Sequence, residues 1–327
     1  MGRTAGFVTA ALVGVALHGA AVGLSAQDLS YRSISRPKLA GPMAMAARLG
    51  GMPQEVEEVV YIKGDRMRTD SKDASTILDL SAGRFIQLDH RKKTYTSVSL
   101  DSLEAYMRAA AKDAKSEDAP DVKFTLEVTP TGERQRIGDY EAERVYMTLE
   151  LEAQAEEGSG RVVYFSDLWL SKDAPGYEAS QRFAEAMGER AGGIEALMAA
   201  FAQTPEATQA MKNANREMRK LAGMPVRSTA YMVMLPEGVK FDRKVLLEEE
   251  AKAEAKPAQK PSIGGLLGGA LRGKVPGGQQ PQQAEPAEAG MTTLFSVATE
   301  IRDLSTASVD ASRFEIPAGY KEKPWQD

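Results

Sequence analysis

Five apolar side chains in the second half of the sequence have types and spacing suited to holding a hydrophobic ligand. Apolar positions between residues 183 and 221 recur every three or four residues, which predicts helices with one apolar face. Methionine is flexible and polarizable, and proteins use it where a surface must fit varied apolar partners. The same spacing is also typical of ordinary core packing, which is the alternative. The candidates for an apolar pocket are Phe183, Met187, Met198, Met211 and Met218.

Catalytic chemistry has few candidate residues. His90 is the only histidine after the first 26 residues, and it stands in Asp89–Lys93 between two predicted strands. A lone histidine cannot build a multi-histidine zinc site, and no nucleophile is placed beside it in the sequence. We predict a solvated turn there. Cysteine is absent, which excludes disulfides, thiolate metal sites and cysteine nucleophiles.

A glycine-rich stretch imitates a phosphate-binding loop. Gly268–Lys274 matches the first seven positions of that motif, but Val275 stands where a serine or threonine hydroxyl should reach magnesium. Pro276 and the glycines after it do not favour the helix whose N-terminus would hold phosphate. The acidic runs at 55–58 and 248–250 lack the spacing of a calcium loop. The sequence therefore predicts no enzyme, no cofactor and no metal, with a hydrolase as the weakest alternative.

Short β-rich runs separated by turns precede the helical region. Turn sequences such as Gly64-Asp65 and Ser81-Ala82-Gly83 predict an antiparallel meander, followed by a helix over Leu100–Ala114 and a second meander. The predicted strands are Val59–Ile62, Arg66–Thr69, Ser75–Leu80, Arg84–Leu88, Thr94–Val98, Val122–Val128, Gln135–Ile137, Glu143–Leu151, Arg161–Leu170, Arg227–Leu235, Phe241–Glu248 and Leu294–Leu304.

The order of strands, then helices over 177–221, then strands again predicts an α+β fold with an antiparallel sheet. Lys252–Gly290 contains eight glycines and five prolines in 39 residues, so it cannot bury enough apolar surface to fold. We predict that it is a disordered insertion in a long hairpin loop, and that residues 27–251 and 291–327 form a single α+β domain.

The first 26 residues read as a secretory signal peptide. Arg3 precedes an apolar run over Phe7–Leu17, and Leu24-Ser25-Ala26 offers a small residue for cleavage. An uncleaved membrane anchor is the alternative, but glycines weaken the segment as a spanning helix. Cleavage changes the net charge from −5 to −6, because only Arg3 is lost. We expect an exported protein of the periplasm or cell envelope, with no integral anchor after cleavage and no nucleic acid as partner.

Short pieces of the sequence together resemble an uncharacterised family of exported bacterial proteins. The pieces are Gly64–Arg68, Ile77–Leu80, Leu88-Asp89 with Lys93–Tyr95, Ile137–Ala142, Leu168–Ser171 and Phe314–Tyr320. That family is in turn similar to the LolA/LolB type of lipoprotein carrier. The resemblance implies a curved antiparallel half-barrel, whose concave face is covered by helices and holds acyl chains. It implies no catalytic or lipid-contact residue by position.

Two functions remain open from the sequence. The first is a non-enzymatic envelope protein that binds or carries a lipid, an acylated protein or another hydrophobic ligand. The second is a structural or regulatory envelope module that binds a partner protein and has no small-molecule ligand. Neither the ligand nor the oligomeric state follows from the sequence.

Overall fold

We describe a computed structural model of the chain, over residues 27–39, 53–113, 121–155, 158–190, 221–255 and 290–325. These residues form one open sheet of twelve strands. The strands are β1 (Leu29–Leu39), β2 (Val56–Lys63), β3 (Arg66–Asp70), β4 (Ala74–Asp79), β5 (Arg84–Asp89), β6 (Thr94–Ser99), β7 (Asp121–Ile137), β8 (Tyr140–Ala155), β9 (Gly158–Ser171), β10 (Met224–Leu235), β11 (Thr292–Ser305) and β12 (Lys321-Glu322).

The sheet is two meanders joined at its centre by β1. Its strand order is β12-β6-β5-β4-β3-β2-β1-β11-β10-β9-β8-β7. Neighbouring strands are antiparallel except for β12, which pairs in parallel with β6. The segment after β6 therefore carries the chain from one half of the sheet to its far edge at β7, and β11 returns to pair with β1.

Glycines at positive φ make the tight hairpins possible. Gly64 (φ 55°) and Gly138 (φ 57°) each begin a two-residue Gly-Asp turn, between β2 and β3 and between β7 and β8. A side chain at either position would be strained, because L residues rarely adopt that conformation. These turns fix the register of the strands that they join.

Three α-helices are present among the described residues: α1 (Leu100–Asp113), α2 (Tyr177–Arg190) and α3 (Arg243–Ala255). In α2, Ala179 and Phe183 are buried in one cluster with Leu29 of β1 and Val60 of β2. In α3, Leu246 is 3% exposed. It packs in a second cluster, whose buried strand residues are Val163, Phe165, Tyr231, Val233 and Leu235.

Helices α2 and α3 lie on opposite faces of the sheet. Tyr231 beneath α3 pairs through Ser296 with Lys38 of β1, so these three side chains share a face. Leu29 beneath α2 lies nine positions from Lys38 in the same strand, and side chains along a strand alternate between faces. The two helices therefore cover different regions of different faces.

A C-terminal segment, residues 306–325, crosses the half-sheet β2–β6 on the face that also carries α3. Val309 and Phe314 are buried against Ile77 and Ile86. The main chain then pairs with β6, where Lys321 N–H donates to the Lys93 carbonyl oxygen at 3.0 Å. This segment replaces a helix as the cover for that part of the sheet.

The fold class predicted from the sequence is wrong. Strands make up 56% of the structure and helices 18%, and the sheet is open. It is not a helix-covered α+β half-barrel. The physical reason is that the two outermost strands of the sheet, β12 and β7, do not pair with each other, while the described helices divide between the two faces.

Two further elements differ from the predictions. Phe241–Glu248, predicted as a strand, contributes the start of α3, because the Asp242 carboxylate caps the helix by accepting the Lys244 N–H at 2.8 Å. The predicted insertion begins inside α3, since Lys252–Ala255 are helical. Residues 256–289 of the insertion, and the predicted helices over 191–220, lie outside the described residues.

Candidate functional site

The structure places two of the five predicted pocket residues, both in α2. Phe183 is 4% exposed and lies in the cluster between α2 and the central strands. Met187 packs against the same cluster. Neither side chain lines either of the two surface cavities described below. Met198, Met211 and Met218 lie outside the described residues, so the pocket that all five would form stays a prediction.

An apolar surface that differs from the predicted pocket lies on one face of the sheet, and the sequence analysis did not predict it. One row of directly paired residues crosses six neighbouring strands from the β7 edge to β1. The row consists of Leu126, Leu149, Tyr164, Met232, Phe295 and Leu39. Each of these side chains is half-buried, and none belongs to the hydrophobic clusters of the described residues. We call this row, with the rows beside it, the apolar face.

The rows beside it extend the apolar face. The residues paired in the next row are Val128, Met147, Ser166, Ala230, Val297 and Pro37. On the other side lie Leu151, Val162 and Met234, and Met234 is 47% exposed. Six strands spaced at about 4.8 Å give the face a width of about 24 Å. The face is therefore wide enough for a long apolar ligand or an apolar partner surface.

The sequence carries one signal for this face. Alternating apolar residues in β8, β9 and β10, such as Leu149 with Leu151 and Met232 with Met234, show that one side of each strand is apolar. The register that lines these residues up across six strands is not contained in any single strand. The apolar row becomes visible only from the strand pairing.

The opposite face carries charged and polar groups beneath α3. Arg144 donates to both carboxylate oxygens of Asp167, at 2.9 and 2.7 Å, and to Glu133 at 2.8 Å. Its guanidinium carbon also lies 4.9 Å from the centre of the Tyr146 ring. The Asp167 hydrogen bonds outweigh the opposing effect of burial and raise the pKa of Arg144 above its ordinary value. Arg144 is therefore a fixed cation that holds β7, β8 and β9 together.

Two cavities flank this arginine between α3 and the strands. One has a volume of about 210 Å³ and is lined by Arg144, Tyr231 and residues of β1 and β11, with Glu250 from α3. Glu250 forms an ion pair there with Lys38. The other has a volume of about 370 Å³ and is lined by residues of β7, Tyr146 and the first turns of α3. Both cavities have mixed polar and apolar walls, unlike the apolar face.

His90 lies in a turn, as predicted, but its side chain is half-buried at the centre of a hydrogen-bond network and is not simply solvated. Its Nε2 lies 2.7 Å from Ser75 Oγ, and its Nδ1 lies 2.7 Å from the Tyr320 hydroxyl. Ser75 also lies 2.5 Å from Asp70 Oδ1, and the Arg68 guanidinium donates to both Ser75 and Asp70. The network joins the β3–β5 hairpins to the C-terminal segment.

The order of this network is not that of a catalytic triad. In a triad the histidine lies between the serine and the carboxylate and accepts the serine proton. Here Ser75 lies between His90 and Asp70, and its proton is directed to the carboxylate. Both acceptor positions of Ser75 Oγ are filled by Arg68 and by a His90 Nε2–H, and Ser75 is 2% exposed. The geometry fits a fastening of the C-terminal segment rather than nucleophilic attack.

Comparisons with known proteins add no family: no family model matches the chain, and no similar sequence is found among characterised proteins. The resemblance to an exported family and to lipoprotein carriers therefore stays a prediction. In the part of the chain that the structure describes, no helix has the length and apolar character to cross a bilayer. Over the same residues, no three His, Asp or Glu side chains are grouped as metal ligands would be.

Proposed function

We propose that the protein is a non-enzymatic binder or carrier of a lipid or another hydrophobic ligand in the cell envelope, and that the ligand lies on the apolar face. One observation carries this proposal: six apolar side chains are aligned across six strands, half-buried and outside the described hydrophobic clusters. Scattered surface apolar residues need no explanation, but a contiguous apolar patch marks an interaction site.

The chemistry of the face suits acyl chains. Tyr164, Met232 and Phe295 lie side by side, where two ring surfaces flank a flexible thioether that adapts to varied apolar shapes. Charged side chains point to the other face of these strands, as with Arg161, Asp167 and Arg227. An acyl chain would therefore meet carbon along a run of about 24 Å, from the strand spacing.

The affinity follows from how much of the chain is buried. A methylene that is removed from water contributes about 0.8 kcal/mol, so eight buried methylenes contribute about 6 kcal/mol. Association costs about 4 kcal/mol or more in lost freedom, so a single short chain binds weakly. We expect micromolar affinity only for long or paired acyl chains, which is the class that envelope lipids and acylated proteins provide.

Uptake of a fluorescent long-chain fatty acid, measured by titration, tests the proposal, with native mass spectrometry of gently purified protein to detect bound lipids. Met232→Asp places a carboxylate in the centre of the apolar row and should weaken uptake about 100-fold or more. The matched control is Thr125→Asp, an exposed strand position on the other side of β7, where uptake should be unchanged. If the wild-type protein takes up no fatty acid, phospholipid or acylated peptide, the proposal is wrong.

A partner-protein function is the second candidate, and the edge strand β7 favours it. This strand runs 17 residues, from Asp121 to Ile137, and pairs only with β8 among the described strands. An unpaired strand edge can accept an added strand from another chain. If the protein purifies with a bound polypeptide and without lipid, that result would favour this function over lipid binding.

A further inference from the structure

The larger cavity under α3 is lined by two cations, Arg243 and Lys244, that have no ion-pair partner among the described residues. It lies between β7 and the first turns of the helix, has a volume of about 370 Å³, and is lined by Arg243, Lys244, Tyr146, Glu133 and Leu247 among others. We propose that this cavity binds a small organic anion, with a carboxylate or phosphate group on the arginine and a short apolar body along the wall. The site lies on the opposite face from the apolar face, so it does not depend on the function proposed above.

Arg243 is the centre of the proposed site. Its guanidinium carbon lies 5.2 Å from the centre of the Tyr146 ring, so cation–π attraction holds the side chain at the cavity wall. No carboxylate or hydrogen-bond acceptor contacts this guanidinium among the described residues. A planar guanidinium held in this way offers paired N–H donors to a carboxylate or a phosphate.

The acidic side chains around the cavity already accept hydrogen bonds from other groups. Among the described residues that line the cavity, Glu133 is the one acidic side chain, and it accepts a hydrogen bond from Arg144 at 2.8 Å. Asp167 accepts two hydrogen bonds from the same arginine. Asp242 is outside the lining and accepts the Lys244 N–H as the helix cap. Within the described residues Lys244 has no ion-pair partner, so an incoming anion would supply the missing charge for two cations.

The remaining wall limits the ligand. Pro130, Leu247 and the Tyr146 ring present carbon, which suits an apolar body rather than a bare inorganic ion. A volume of 370 Å³ lies near the lower end of the range of ligand pockets, about 300–1,000 Å³. The ligand class is therefore a short-chain or small-ring organic anion.

Calorimetric titration with sodium octanoate, octanol and inorganic phosphate tests this site. We expect saturable binding of octanoate, about tenfold weaker binding of octanol, and weaker binding of phosphate, because each lacks one half of the recognised ligand. Arg243→Gln should weaken octanoate at least about tenfold, while Lys240→Gln, an exposed neighbour outside the cavity, should not.

The proposal is wrong if wild-type protein shows no saturable octanoate binding, if octanol binds equally well, or if Arg243→Gln leaves the octanoate affinity unchanged. Phosphate binding as tight as octanoate binding would show that the apolar wall contributes nothing to recognition, which would also contradict the proposal. The comparison of octanoate with octanol uses wild-type protein, so it holds even where the variant folds poorly. Arg243→Lys, which keeps the charge and loses the paired donors, should bind octanoate with intermediate affinity.

Discussion

Replacing Ser75 with alanine tests whether the His90 network fastens the fold or performs chemistry. Ser75 is 2% exposed, and its Oγ lies at the junction of three hydrogen bonds, with Asp70 at 2.5 Å, His90 at 2.7 Å and Arg68 at 3.1 Å. The substitution removes one hydroxyl and leaves almost no cavity, so packing loss is small. The hydrogen-bond donors that lose their acceptor decide the cost.

The magnitude follows from counting those donors. Asp70 keeps its bond from Arg68 Nε, and Arg68 Nη1 keeps its bond to the Arg313 carbonyl oxygen at 2.5 Å. One Arg68 N–H and the His90 Nε2–H lose their partner. A buried unsatisfied donor costs about 1–3 kcal/mol, and His90 is half-buried, so water can reach it in part. We expect Ser75→Ala to lower the free energy of unfolding by about 2–3 kcal/mol.

Urea unfolding measures this loss as a lower midpoint at an unchanged m-value. The control is Ser71→Ala, in the same hairpin, where the hydroxyl donates only to the Ala74 carbonyl oxygen at 3.0 Å in an exposed turn. We expect it to cost less than about 1 kcal/mol. Tyr320→Phe removes one hydrogen bond at the outer end of the network, and its loss of unfolding free energy should lie between those of Ser71→Ala and Ser75→Ala.

The opposing hypothesis makes Ser75 a nucleophile. A serine-directed fluorophosphonate should then label the wild-type protein and not Ser75→Ala. The geometry predicts no labelling, because the hydroxyl is buried and its proton is directed to Asp70. Covalent modification of Ser75, or a Ser75→Ala variant as stable as the wild type, would refute the reasoning.

Two further predictions concern stability. Burial raises the pKa of Asp28, but hydrogen bonds from Lys63 and from the Val309 N–H outweigh it and hold that pKa below its ordinary value. The contribution of Asp28 to the free energy of unfolding is therefore complete above about pH 4, and it is lost as the pH falls through the lowered pKa. When the free energy of unfolding is measured from pH 6 to pH 2.5, Asp28→Asn should lose less stability on acidification than the wild type. Parallel curves for the two proteins would contradict this. Gly223 has φ 125°, and a Cβ there would lie 2.8 Å from the Ser171 carbonyl oxygen. Gly223→Ala should cost about 1–3 kcal/mol and exceed Gly64→Ala, where a Cβ meets no atom within 4 Å, and equal thermal shifts would argue against the clash.

Local structure was predictable where the signal was local. The hairpin at Gly64-Asp65 and the alternation in β2–β6 place five strands within a few residues of their observed positions. The start of α2 at Tyr177 and the helix over Leu100–Asp113 follow from helical spacing in the same way. The prediction at Phe241–Glu248 is wrong because four apolar residues there suggest a strand, while the Asp242 cap selects a helix.

Long-range structure was not predictable from the sequence alone. His90 forms hydrogen bonds with Ser75, across one hairpin, and with Tyr320, which is 230 positions away in the sequence. Its environment therefore depends on where the C-terminal segment lies. The pairing of β1 with β11 joins residues more than 250 positions apart, such as Ser35 and Thr299. Sheet closure and helix placement depend on such pairings, which is why the half-barrel prediction is wrong.

The register of β1 positions residues of both the apolar face and the smaller cavity under α3. Lys38 and Leu39 are consecutive, so they point to opposite faces: Lys38 lines the smaller cavity under α3, and Leu39 ends the row of the apolar face. A slip of β1 by one residue would place the ammonium among Phe295 and its neighbours and turn the leucine toward Glu250. The Ser35–Thr299 hydrogen bond and the Lys38–Glu250 ion pair oppose that slip. The apolar face and the smaller cavity under α3 therefore both depend on one central strand, and a change that shifts its register should impair fatty-acid uptake.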